Sequence, residues 1–141
     1  MTERDARLVR ESFDFVLEDA IAVSLLFYGR LFNLEPGLRA LFPVDLRLQS
    51  KKLMDMLTCI VRSLDNFDQL IPELRQLGHR HIAYGARAEH YEILRSALLW
   101  ALGQQLDRDF SPEVRDAWSE VIRMVSSEMQ EGARLHAGAS S

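Results

Sequence analysis

The sequence predicts an all-α domain. Three observations carry that expectation. Apolar residues recur at three- and four-residue spacings, as in Leu53, Leu57, Ile60, Val61 and Leu64. No run alternates with the period of two that a half-buried strand requires. Glycine and proline are sparse, 7 and 4 in 141 residues, so little interrupts long helices.

The helices can be justified in order. Thr2 is placed to cap a first helix carrying Leu8, Phe13 and Val16. A second helix, 20–33, is apolar most of the way round and is expected to lie deep in the fold. Pro36 suits the first turn of a short third helix, 35–41, and Pro43 and Asp45 mark a loop. The Leu53 to Leu64 face belongs to a helix over 49–64. Leu70, Ile71 and Pro72 lead into a short helix that runs past His81 and stops at Gly85. The next begins near Glu89 and carries Tyr91, Leu94, Leu98, Ala101 and Leu102 on one stripe. Ser111-Pro112-Glu113 is a strong start for the last helix, which buries Val114, Trp118, Val121, Ile122, Val125 and Met129. The domain is expected to span 1–131, with 132–141 a flexible tail.

Composition narrows the function classes. The chain has the length of one domain, and 48% hydrophobic residues can bury a core without disulfides. A net charge of -4 with both signs scattered argues against a nucleic-acid partner. The single cysteine, Cys59, sits on the apolar side of a predicted helix and reads as a small buried hydrophobe. It forms no internal disulfide, which fits a reducing compartment. The charged N-terminus lacks an apolar signal core, and no stretch approaches a membrane span. The expectation is a cytoplasmic protein with no membrane partner.

The chemistry centres on His81. Leu77 and His81 are four residues apart, so they stack on one helix side with Leu74. A histidine on an apolar helical face is either a satisfied core residue or a ligand to a flat, apolar cofactor. His79 lies about 200° around the helix from His81, so the two cannot share a metal. One cysteine does not complete a zinc site with them. His90 and His136 read as surface histidines. Tyr28 lies in the most apolar helix and needs a partner for its hydroxyl. Gln49 precedes Leu53 by one turn and shares its face, or else caps the helix in water. Phe42 closes the run LRALF and suits a core anchor.

Taken together these residues resemble a known family. The segments are 27–32 (FYGRLF), Glu35-Pro36 through Leu41-Phe42, 49–54 (QSKKLM), Leu77 to His81, Tyr84-Gly85, His90-Tyr91 and Ala117-Trp118. In this order they resemble bacterial single-domain globins, the group of Vitreoscilla haemoglobin and the globin part of flavohaemoglobins. The motifs are most like those of Hell's Gate globin. The resemblance spans about 11–129. It implies the globin fold, a three-on-three helical sandwich around one haem b.

The resemblance also implies roles. His81 matches the proximal iron ligand, and Phe42 the phenylalanine packed on the porphyrin. Tyr28, Gln49 and Leu53 match the distal pocket, where gas binds. Leu77 belongs to the proximal wall, and Tyr91 matches a tyrosine near His81 that would act as its partner. Lys52 and Arg80 are placed to reach the haem propionates. One departure stands out. The late glutamate that bonds the proximal histidine in flavohaemoglobins falls here on Ala133, with Glu128 and Glu131 off register. No stretch reads as a flavin or nicotinamide domain.

Such a pocket would bind dioxygen, nitric oxide and carbon monoxide. The Tyr28 hydroxyl and Gln49 amide are donors suited to a partly negative bound oxygen, so high affinity and slow release are expected. Slow release suits conversion of nitric oxide to nitrate with an external reductase. The alternatives are a haem-based gas sensor acting through a partner protein and a haem-free helical interaction domain.

Overall fold

The computed structural model describes residues 1–42, 45–83, 85 and 87–139. Pro43 and Tyr84 lie outside that set, as do the side chains of Ile82 and His136. Six α-helices account for most of it: α1 Glu3–Glu18, α2 Ala20–Leu34, α3 Arg47–Arg62, α4 Phe67–Ala83, α5 Ala88–Leu106 and α6 Pro112–Ala139. Short 3-10 turns lie at Pro36–Leu41, Leu64–Asn66 and Asp107–Asp109. No strand occurs among the described residues.

Helix starts follow the local chemistry. The Thr2 hydroxyl accepts from the Asp5 amide while the Asp5 carboxylate accepts from the Thr2 amide, a reciprocal capping box. Ser111 accepts from the Val114 amide and starts α6 with Pro112 in its first turn. His90 caps α5 from inside its first turn: its Nδ1 accepts from the amide of Arg87, the residue before the helix, at 3.0 Å.

Two layers form, α1, α3 and α4 over α2, α5 and α6. Within layers α1 meets α3, α2 meets α5 and α5 meets α6; across them α4 and α1 pack on α6 and α2 packs on α3. The layers join at Trp118, which is fully buried. Its indole N–H donates to Ser12 Oγ at 2.8 Å, and Ser12 in turn donates to the Leu8 or Val9 carbonyl. A buried indole thus has a partner. Trp118→Phe removes that bond and leaves a void, so it is expected to cost about 2–4 kcal/mol, read as a lower urea midpoint.

Several helices differ from expectation. Helix α2 buries Val23, Ser24, Phe27, Tyr28 and Leu31, but Ile21 and Leu25 face water. Its packing partners α3, α5 and the Pro36–Leu41 turn leave that outer face uncovered. Cys59 is exposed rather than buried. It lies two residues from buried Leu57, hence about 200° around α3 from the face that packs. Helix α4 is 17 residues long and contains Pro72 instead of following it. Pro72 is exposed, so the Asp68 carbonyl that lacks a helix partner faces water. Because α1, α2 and α6 all pack on it, helix α5 buries Ala97 and Leu99 besides Tyr91, Leu98, Ala101 and Leu102 of the expected stripe, while Leu94 is half-buried. The last helix continues without a break past Glu131 to Ala139, and Gly132 is buried.

Candidate functional site

The site is built on α2, α3 and α4. On α4 the His81 ring stands half-buried, with Nδ1 2.8 Å from the Leu77 carbonyl oxygen. A carbonyl can only accept, so Nδ1 carries the proton and donates. The remaining ring lone pair then sits on Nε2. Burial pushes the His81 pKa below its ordinary 6.5; the Leu77 bond opposes this and the neighbouring Arg80 charge adds to it. The imidazole is therefore neutral at physiological pH. Gly85 ends this segment at a φ of +94°, where L side chains are strained, and an added Cβ would lie 3.1 Å from Leu41.

On α2, Tyr28 is 2% exposed. Its ring contacts Phe27, Phe32 and Phe42 at centroid distances of 5.0, 6.1 and 5.6 Å. Phe32 and Phe42 also meet each other, and the Arg39 guanidinium lies over Phe32. The Tyr28 hydroxyl donates to the Gln49 backbone carbonyl at 3.3 Å. Burial pushes its pKa up to about 12, with a Gln49 side-chain hydrogen bond acting in the other direction. The hydroxyl is a permanent donor. Gln49 and Leu53 are both half-buried, one turn apart on α3, and Leu53 packs against the core.

The structure thus brings Tyr28, Phe42 and Gln49 together, and Leu77 with His81. It presents His81 and Gln49 on helices whose main partners lie elsewhere: α4 packs on α6, α3 on α2 and α1. Lys52 and Arg80 are exposed on those same two helices and, among the described residues, engage no carboxylate. His79 is exposed, on the side of α4 away from His81.

Tyr91 lies on α5. It is 8% exposed and lines an open groove of about 760 Å³ between α5 and α6, with Arg95, Arg123, Gln130 and Arg134. The His81 Nδ1 partner is the Leu77 carbonyl. The two late glutamates are also engaged elsewhere: Glu128 pairs with Arg75 at 3.1 Å, and Glu131 with Arg134. A buried residue outside the expected set is Ser50, next to Gln49; its hydroxyl has no hydrogen-bond partner among the described residues. Its place one residue from Gln49 is the only sequence signal, and a serine in a helix rarely stands out.

Comparison with known proteins decides the family. The globin profile matches residues 25–129. The chain belongs to the globin family. It is 27% identical to neuroglobin-1 of Oncorhynchus mykiss, covering 94% of this chain and 92% of that protein. It is 29% identical to a flavohemoprotein of Rhodopirellula baltica over 85% of its own length, but spans only 30% of that relative. Among solved structures it superposes on an engineered carbene transferase of nitric oxide dioxygenase type from Rhodothermus marinus. That match has a TM-score of 0.86 and 27% identity, covering 100% of this chain and 99% of the other. A hexacoordinated heme protein from a tardigrade shares the fold, with a TM-score of 0.82.

A globin implies a haem, and the donor set on α4 fits one. His81 offers one neutral nitrogen lone pair, the kind of donor that would hold a haem iron. Among the described residues no three His, Cys, Asp or Glu side chains gather to hold a bare ion. A single imidazole suits a metal whose other positions a macrocycle fills. No described helix of this globin is long and apolar enough to cross a membrane.

Proposed function

We propose that this globin is of the bacterial single-domain type and binds dioxygen and other diatomic gases with high affinity and slow release. The observation that carries the reading is a neutral His81 oriented by the Leu77 carbonyl, and a buried Tyr28 hydroxyl beside Gln49 supports it. Haem, when bound, would supply an iron centre able to bind a small gas. Every other part of the reading rests on the chain. His81 Nε2 is the protein ligand, Leu77 and Phe42 wall the macrocycle, and Tyr91 supports the proximal side from α5. Lys52 and Arg80 meet the propionates. The group is haem b, held without thioether bonds, since the one cysteine is exposed on α3.

Tyr28 and Gln49 do the selective work. At 3.3 Å the Tyr28 bond to the Gln49 carbonyl is long for an O–H···O bond. The hydroxyl gives up little by turning toward a ligand that carries partial negative charge. The Gln49 amide NH2 adds a second donor from α3. The ring cluster of Tyr28, Phe32 and Phe42, with Leu53, keeps water from competing for both.

The activity this arrangement suits is nitric oxide dioxygenation. Each turnover joins one nitric oxide and one dioxygen into nitrate and takes one electron from a separate reductase. The match to flavohemoproteins along most of this chain supports the reading. In it the protein works in the cytoplasm. The test is to mix the reduced, oxygen-saturated protein anaerobically with an equivalent of nitric oxide. One nitrate per protein and a ferric spectrum are expected. Persistence of the starting spectrum without nitrate would sink the enzymatic reading.

A further inference from the structure

The last helix packs on the His81 helix unusually closely, and glycines are what allow it. A Cβ built on Gly78 of α4 would lie 1.9 Å from the Met129 carbonyl oxygen of α6. A Cβ built on Gly132 of α6 would lie 2.0 Å from the Arg75 carbonyl oxygen of α4. The two contacts are reciprocal: each glycine faces a backbone carbonyl three residues before the glycine of the other helix. Both obstructions are backbone, so no side-chain rotation relieves them. Glycine at such points lets helix backbones touch, with Cα–H groups facing carbonyls. The Arg75 guanidinium closes the same crossing, pairing with Glu128.

We propose that Gly78 and Gly132 are positioning residues that set the depth of His81 in its pocket. This rests on the reading of His81 as the haem ligand. Gly78 lies one residue beyond Leu77, whose carbonyl orients the His81 ring, and three before His81 itself. Carbon–oxygen contacts need more than 3 Å, so a methyl group at either glycine opens the crossing by about 1 Å. Helix α4, pushed away from α6, carries Leu77 and His81 with it; His81 lies about 60° around the helix from Gly78, so the ring is drawn back from the space it faces. Side-chain packing alone would leave the ring depth soft; a backbone-to-backbone seat makes it hard. Helix propensity predicts the opposite sign, because alanine is the better helix former.

The test uses Gly132→Ala with Gly29→Ala and Trp118→Phe as controls. Gly29 has nothing within 4 Å of an added Cβ, so its variant measures propensity alone. Trp118→Phe destabilises α6 against α1, about three helical turns before Met129. The first readout is the iron–histidine stretching band in the resonance Raman spectrum of the ferrous protein. It is expected to shift in Gly132→Ala and in neither control, and haem transfer to an acceptor protein should speed up about tenfold. The second readout is amide hydrogen exchange of the protein as purified. Residues 74–81 and 125–132 should exchange as one unit in the wild type and lose protection together in Gly132→Ala. If Gly132→Ala does not fold, Arg75→Met loosens the same crossing and should move band and exchange in the same sense by less. An unshifted band with wild-type protection of α4 would overturn the proposal. If the wild type takes up no haem, the haem reading fails, and exchange alone still shows whether α4 is seated on α6.

Discussion

Replacing His81 by glycine is expected to leave the protein folded but largely stripped of coordinated haem, and added imidazole should restore part of the spectrum. The reason is the poverty of the donor set. One ring nitrogen is spent on the Leu77 carbonyl, and the other is the donor we propose for the iron. Imidazole diffusing into the space left by the ring can replace the Nε2 lone pair but not its orientation. Weaker, adjustable binding is therefore expected, read as an imidazole-dependent Soret band. Full haem retention in the variant, with unchanged bands, would move the ligand to another residue.

The same residue sets a pH dependence. Burial holds the folded His81 pKa below 6.5. Between the folded value and 6.5 the unfolded chain binds more protons than the folded one, so stability rises with pH across that window. It is lost as pH falls through it. Protons compete with iron for Nε2 in the same range. Haem retention should be level above pH 6.5 and decline only below it, measured by haem transfer against pH.

The second large effect concerns Tyr28. Tyr28→Phe keeps the ring contacts to Phe27, Phe32 and Phe42 and deletes only the hydroxyl. The stability change should be small, since the lost bond is 3.3 Å long and its acceptor is a carbonyl. Oxygen release is the sensitive quantity. A donor aimed at developing charge in a water-poor pocket contributes about 1–2 kcal/mol, so release should speed up by about tenfold. Carbon monoxide carries less charge and should change less. Stopped-flow displacement of oxygen by carbon monoxide measures both. Equal rates in wild type and variant would remove Tyr28 from the pocket's chemistry. Gln49→Leu should act in the same direction.

The helices were legible because their determinants are local. Thr2, Ser111 and Pro112 announce their caps, and the apolar repeat of α3 shows which side packs. Burial depth was less so, because it depends on which neighbours arrive. Ile21 and Leu25 look like core residues until α2 is seen to have partners on one side only. Cys59 was misread for a related reason: its neighbours in sequence are apolar, but its helical angle points away from them. At the site, periodicity could place His81 on the face of Leu77 but could not choose between a core histidine and a ligand. The hydrogen bond that orients the ring uses a backbone carbonyl, which no side-chain pattern reveals. Gly78 and Gly132 were equally silent. They lie 54 residues apart in the chain, and their meaning exists only where α4 meets α6.

The most direct measurement of the central claim is the visible absorption spectrum of the purified wild-type protein, supplied with haem if needed. It is recorded ferric, reduced with dithionite, and reduced under carbon monoxide or oxygen. The account predicts an intense Soret band that moves on reduction and moves again with each gas, at one haem per chain. A protein that stays colourless with haem present, or whose bands ignore every gas, would contradict it.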